Sequence, residues 1–209
     1  MKDKASKRIL VGLTGGPGVG KSEAAKVLAA YGAGVISADK IGHSILDTNA
    51  KVRAKIKKMF GQSAFDSNGR PNREFIGRRV FADSELLAEF NAVVHPELLR
   101  LLKKELNMVA ESGKKIIVVD AALIFEWCIA DWFDIILVID AAREIRIKRL
   151  MKNGLTRSQA VARIGCQMPQ KDKKGLADYL ITNNGGINNL KTKIAGFVKL
   201  LKKKHCQLK

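Results

Sequence analysis

The sequence predicts an α/β domain built on a five-stranded parallel sheet, and three observations carry that prediction. Apolar runs at 8–14, 34–37, 116–120, 134–140 and 179–182 alternate with helical patterns, the order of βαβ crossovers. Lys115-Ile116-Ile117-Val118-Val119-Asp120 and Asp134-Ile135-Ile136-Leu137-Val138-Ile139-Asp140 are continuously apolar rather than alternating, so helices must cover both sheet faces. Gly15-Gly16-Pro17-Gly18-Val19-Gly20-Lys21-Ser22 follows the first run and spells G-x-x-x-x-G-K-S.

The first strand, 8–14, delivers the chain into that glycine-rich loop. Its glycines let successive backbone N–H groups turn inward toward a nucleotide's phosphates, which bulky residues would prevent. Residues Gly16, Pro17, Gly18, Val19, Gly20, Lys21, Ser22 and Glu23 are therefore expected to bind ATP. Lys21 reaches the β- and γ-phosphates, and Ser22 offers its hydroxyl to Mg²⁺ at the start of a helix running to Ala30. By residue usage such a motif arises by chance in a chain this long on the order of once per hundred. The strand before it and the helix after it lower those odds.

The second strand, 34–37, is followed by a connection from about Ala38 to Ser112, far longer than one crossover helix. It is expected to be a helical insertion. Asp47 to Phe60 reads as one helix, Gln62 to Arg73 as a turn around Ser67-Asn68-Gly69-Arg70-Pro71, and Glu74 to Phe81 as a second helix. Asp83 caps a third, to about Val94, and Pro96 opens a fourth, to Ala110. Leu98, Leu99, Leu102, Leu106 and Val109 then have the spacing of a packed helical face.

The third and fourth strands end in Asp120 and Asp140. Helix 142–152 leads through Asn153-Gly154 to Thr156, which with Gln159 forms a capping box opening a helix to Ile164. The basic, glycine-bounded stretch 150–174 has the character of a mobile lid, although an exposed helical hairpin gives the same charge pattern. The fifth strand, 179–182, precedes a closing amphipathic helix, Ile187 to Lys204. The expected organisation is one domain: a core of 8–38, 113–149 and 175–209, an insertion of 39–112, and the lid.

Composition narrows the function. The chain has 209 residues, a net charge of +18 and an apolar content of 46%. Such charge asks for anionic partners, but with aromatics at 6% few side chains can stack on bases. No specific nucleic acid is expected. No run of about 18 apolar residues appears, and basic Met1–Arg8 leads straight into the first strand, so neither a membrane span nor a signal peptide is read and a cytoplasmic location is expected. Cys128, Cys166 and Cys206 lack metal-site spacing, as do His43, His95 and His205, so reduced thiols and no zinc site are expected. Nothing fixes an oligomeric state.

Ligands of parallel α/β sheets lie beyond the carboxyl ends of the strands, which singles out three acids. Asp39, just after Val35-Ile36-Ser37, can accept a proton from an attacking hydroxyl; it also suits a helix N-cap. Asp120 can assist Mg²⁺ directly or through water. Asp140 reads as a helix cap. Arg143, Arg146, Lys148 and Arg149 line the helix that feeds the lid, where a guanidinium could stabilise the transferring phosphoryl group.

Taken together, these segments resemble the dephospho-coenzyme A kinase family. The similar stretches are Val11-Gly12-Leu13-Thr14-Gly15-Gly16 through Lys21-Ser22, Val35-Ile36-Ser37-Ala38-Asp39, Arg73 with Arg79-Val80-Phe81, and His95-Pro96. Asp120 through Leu123 with Glu126, Arg149-Leu150-Met151, Gln167-Met168-Pro169 and Leu176-Ala177-Asp178-Tyr179 complete the set, in family order over residues 8 to 184. The resemblance implies a P-loop kinase fold with an acceptor-binding insertion and a lid. It implies transfer of the ATP γ-phosphoryl group to the ribose 3′-hydroxyl of dephospho-coenzyme A, with Mg²⁺, in the last step of coenzyme A biosynthesis. Asp39 matches the family's general base and Arg149 its lid-side arginine, so Asp39, Lys21 and Arg149 are the expected catalytic residues. Asp39, Arg73, His95, Asp120 and Glu126 are the expected acceptor-binding residues.

This sequence departs from the family pattern in places. Ser37 stands where another Asp is usual, Glu23 where Thr or Ser is, Ala122 where Pro is, and Thr182 where Asp is; the Met151-Lys152-Asn153-Gly154 turn is one residue short. Two other functions fit the loop alone: a related kinase acting on a nucleoside monophosphate or small metabolite, and a basic NTP-dependent RNA-binding protein.

Overall fold

The five strands of the computed structural model coincide with the five apolar runs: β1 (Ile9–Thr14), β2 (Gly34–Ser37), β3 (Ile116–Asp120), β4 (Ile135–Asp140) and β5 (Tyr179–Thr182). The structure describes residues 8–207, with side chains through Lys203. The basic stretch before Arg8 and the side chains of His205 and Cys206 lie outside the described residues. All strands are parallel, in the order β2-β3-β1-β4-β5. β1 and β4 are buried along nearly their whole lengths, as their continuous apolar character requires.

Register sets the site. Asp120 lies opposite both Leu13 and Ser37, so the ends of β1, β2 and β3 fall level with one another. At the opposite end of the sheet, carboxylates satisfy strand N–H groups that have no ladder partner: Asp134 accepts from Leu10 and Asp178 from Ile136, each at 2.7 Å.

Helices α1 (Lys21–Ala30), α6 (Arg143–Lys152), α7 (Arg157–Gly165), α8 (Gln170–Gly175) and α9 (Ile187–Gln207) belong to the sheet's compact unit. α1 and α9 pack on the sheet in one core containing Leu13, Leu28, Leu137, Ile139, Ile194 and Phe197. Both halves of the Thr156–Gln159 capping box form. α7 packs on α6 through Ile147, Leu150 and Ala160, with Leu155, Val161 and Ile164 around them. The cap position of α6 is Ala142, not Asp140; the Asp140 carboxylate pairs instead with Lys174 at 3.3 Å.

The chain divides into two compact units. One comprises the described residues up to Ser37 and those from Leu106 onward; the other is Ala38–Glu105. The second unit is helical: α2 (Ala38–Thr48), α3 (Ala50–Phe60), α4 (Arg73–Val80) and most of α5 (Ser84–Glu111). Two expectations are corrected here. The helix expected from Asp47 to Phe60 begins at Ala50, because extended Asn49 caps it by accepting the Val52 N–H. Its first residues belong instead to α2, which buries Ala38, Ile41, Ile45 and Leu46.

Pro96 does not start a new helix. α5 runs through it, forgoing the bond its missing N–H would make, because buried Val94, Leu98 and Leu102 form one apolar stripe across the proline. Asp83 does cap this helix, accepting the Glu85 and Leu86 N–H groups at 2.9 and 3.1 Å. Arg53 secures the turn between α3 and α4, donating to the carbonyls of Leu46, Asp47 and Gly69 and stacking on the Phe65 ring at 4.8 Å.

Candidate active site

β1 delivers buried Thr14 into the glycine loop, and the loop's shape follows from its glycines. Gly18 has φ 78° and Gly20 φ 95°, left-handed conformations that a side chain strains. A Cβ on Gly18 would stand 2.6 Å from the Arg146 carbonyl oxygen, and one on Gly20 2.4 Å from Asn183 Nδ2. The loop is thus pressed against α6 and the turn after β5. Gly20, the N-cap of α1, places Lys21 and Ser22 in the first helical turn.

Lys21 Nζ donates to Asp120 Oδ1, and the two side chains are only 10% and 8% exposed. A buried ion pair must repay its desolvation through geometry, and the β3 terminus supplies it by fixing the carboxylate at the loop. Ser22 is exposed, and its hydroxyl has no hydrogen-bond partner among the described residues. The Ser22 hydroxyl and the carboxylate of Asp120, which pairs with the adjacent Lys21, are an all-oxygen donor set, which fits a hard divalent cation such as Mg²⁺. Glu23 turns to Lys26 at 2.6 Å, so its charge is met within α1.

Arg149 is engaged with the backbone. It donates to the carbonyls of Gly18 and Val19 in the loop at 3.3 and 3.2 Å, and to those of Asn183 and Gly185 after β5 at 3.0 and 3.2 Å. Asn183, nearly buried, reinforces this bracket by donating Nδ2 to Val19 O at 2.8 Å. Arg146, also buried, donates Nε to Pro17 O at 2.9 Å, and burial lowers its pKa from the usual guanidinium range. Of the five basic residues on this helix, two therefore grip the loop from outside.

Four further contacts come from two residues that periodicity did not single out. Gln170 Oε1 accepts the Gly16 N–H at 3.0 Å while its Nε2 donates to Ile139 O at 3.0 Å. Lys173, 0% exposed, donates to Ala122 O at 2.6 Å and pairs with Glu126 at 2.8 Å. Burial holds its pKa below the usual lysine value, Glu126 opposes that shift, and the nearby charges of Arg146 and Lys21 add to it. In sequence, Lys171, Lys173 and Lys174 look alike, and only burial separates them.

Of the remaining expected residues, Asp39, Arg73 and His95 lie in the second unit. Asp39 is exposed in the first turn of α2, two residues beyond Ser37. Arg73 pairs with Asp47 and reaches the His43 carbonyl at 3.4 Å. His95 is half-buried in α5, and burial lowers its pKa. Glu126, in the first unit, accepts from the Met168 N–H at 3.0 Å as well as from Lys173.

The loop, the Lys21–Asp120 pair and the parallel sheet define a P-loop kinase fold. Shikimate kinase from Acinetobacter baumannii shares that architecture, with a TM-score of 0.50 at 15% identity over 96% of this chain and 97% of that one. The family can be stated more closely: the model of the dephospho-CoA kinase family matches residues 9–189, and the chain belongs to that family. It is 36% identical to a dephospho-CoA kinase of Carboxydothermus hydrogenoformans over 186 residues, 88% of this chain and 90% of the relative. A solved dephospho-CoA kinase from Campylobacter jejuni superposes with a TM-score of 0.68 at 25% identity, covering 93% of this chain and 98% of that one. Among the described residues no helix is long and apolar enough to cross a membrane.

Proposed function

We propose that this protein transfers the γ-phosphoryl group of ATP to the ribose 3′-hydroxyl of dephospho-coenzyme A, yielding ADP and coenzyme A. The observation that carries the reading is the glycine loop, with Lys21 held on Asp120 at the strand ends, in a chain of the dephospho-CoA kinase family. Phosphoryl transfer through a loose transition state needs positioning and charge neutralisation more than a strong base. Lys21 and the first-turn N–H groups of α1 supply positive potential at the phosphates. Ser22, with Asp120 directly or through water, would hold Mg²⁺, which when bound neutralises phosphate charge.

Asp39 is the proposed general base for the acceptor hydroxyl. Arg73, His95 and Glu126 are proposed on the acceptor side, with the helical insertion as the acceptor-binding part, the 150–174 stretch as a lid, and a cytoplasmic setting. Arg149 is assigned a share in catalysis through the loop, because its guanidinium is committed to loop carbonyls.

The test is ADP formation with ATP and Mg²⁺, comparing dephospho-coenzyme A with phosphopantetheine and nucleoside monophosphates as acceptors. Only dephospho-coenzyme A is expected to raise ADP above the hydrolysis background. Asp39→Asn should lower kcat with little change in the KM for ATP, and full activity in that variant would remove the base assignment.

A further inference from the structure

We infer that residues 167–173 form a fixed strap that sets the geometry of the phosphate loop, with Gln170 and Lys173 as positioning residues for phosphoryl transfer; the inference rests on the kinase reading above. The strap touches three chain segments at the phosphate site: the loop, the end of β4 and the turn after β3. Gln170 joins the loop, through the Gly16 N–H, to the end of β4, through the Ile139 carbonyl. Lys173 reaches the turn after β3, donating to the Ala122 carbonyl and pairing with Glu126. The Met168 N–H donates to the same Glu126 oxygen, so the strap is fastened to that turn at both ends.

That turn in turn touches the loop. Ala122 O also accepts from the Thr14 hydroxyl at 3.1 Å, so one carbonyl gathers the residue before the loop and the strap's lysine. Two residues earlier is Asp120, which holds Lys21. A displaced strap would therefore move the Gly16 amide, Thr14 and the carboxylate that aims the catalytic lysine.

The identity of residue 173 supports a positioning role. A methionine of similar length would fill a fully buried space without stripping water from a charge, and the charges of Lys21 and Arg146 already disfavour an ammonium there. What an ammonium adds is directed donation to two acceptors on one turn. Hence the carboxyl-terminal end of the 150–174 stretch stays docked when the remainder moves.

The test uses the full chain and the variants Lys173→Met, Lys173→Arg and Gln170→Leu. Amide hydrogen exchange followed by NMR should find the Gly16 and Met168 N–H groups protected in the unaltered protein. Gln170→Leu should speed exchange at Gly16 by roughly tenfold, the worth of one hydrogen bond. Lys173→Met should lower kcat by about 100-fold, the scale of an ångström-sized misplacement, with the KM for dephospho-coenzyme A changed less than about threefold. Lys173→Arg, which keeps charge and donors, should recover much of that loss. Folded Lys173→Met and Gln170→Leu proteins with kcat within about twofold of the unaltered protein would overturn the inference. Should Lys173→Met not fold, Gln170→Leu decides alone by the same criteria. If the unaltered protein does not phosphorylate dephospho-coenzyme A, the kinase reading fails, and unprotected Gly16 and Met168 amides would separately overturn the strap.

Discussion

Removing the Arg149 guanidinium while keeping its stem, as in Arg149→Met, separates a brace from a phosphate contact. Four hydrogen bonds are lost, at 3.0 to 3.3 Å, none of them short. Val19 O keeps its bond from Asn183, whereas the Gly18, Asn183 and Gly185 carbonyls lose the guanidinium donor. At about 0.5–1.5 kcal/mol net per bond, and near the low end because the contacts are long and partly solvated, the loss comes to about 2–4 kcal/mol. Burial lowers the Arg149 pKa, so the charge incurs desolvation that the variant recovers, which keeps the total within that range. For a chain of this size the melting temperature should fall by roughly 5–15 °C, measured by circular dichroism. The loosened loop should raise the KM for ATP by about tenfold, the effect of roughly 1.4 kcal/mol of lost binding, with a smaller change in kcat. Arg149→Lys should recover less than half, since one ammonium cannot span carbonyls on both segments. An unchanged melting temperature with kcat down about 100-fold at constant KM would refute the brace and place Arg149 on the transferring group.

Lys21→Ala should reduce turnover by at least about 10²–10³-fold, the scale of losing one preorganised donor; it also leaves the Asp120 carboxylate without its buried cation, so a lower melting point should accompany the kinetic loss. Gly18→Ala combines φ 78° with a Cβ 2.6 Å from backbone oxygen on α6, which cannot swing aside, so calorimetric titration with ATP should register at least a tenfold affinity loss, about 1.4 kcal/mol. His95 has a folded pKa below its ordinary 6.5, so the unfolded chain binds more protons and His95 disfavours the folded state as pH falls below 6.5. That destabilisation is absent well above pH 6.5 and grows as pH falls from 6.5 toward the folded pKa, so urea unfolding at pH 7 and 5 should show a smaller loss of stability in His95→Gln than in the unaltered protein.

Legibility differed by element, for physical reasons. The five strands were read to within one residue because continuous apolar runs are written into local sequence. Asp47 and Pro96 were misplaced because their helix boundaries were read from local preference alone. In each case a neighbouring buried stripe decided, Ile41-Ile45-Leu46 in α2 and Val94-Leu98-Leu102 in α5. In the site, Gly15 to Ser22 declared itself by spacing, and Asp120 by its place at a strand end. Gln170 and Lys173 could not be picked out in a run of polar and basic residues, since their contacts lie 31 to 154 positions away in sequence.

By itself, then, the sequence determined the strand set, the phosphate loop, the acids at the strand ends and the family resemblance, all of which depend on residue type at fixed local spacing. Tertiary structure alone decided how the long cations are used. It directed Arg149 and Arg146 to loop carbonyls and buried Lys173 on the Ala122 carbonyl. A lysine or arginine stem reaches many acceptors, and which one it meets depends on segments that only the folded chain brings together.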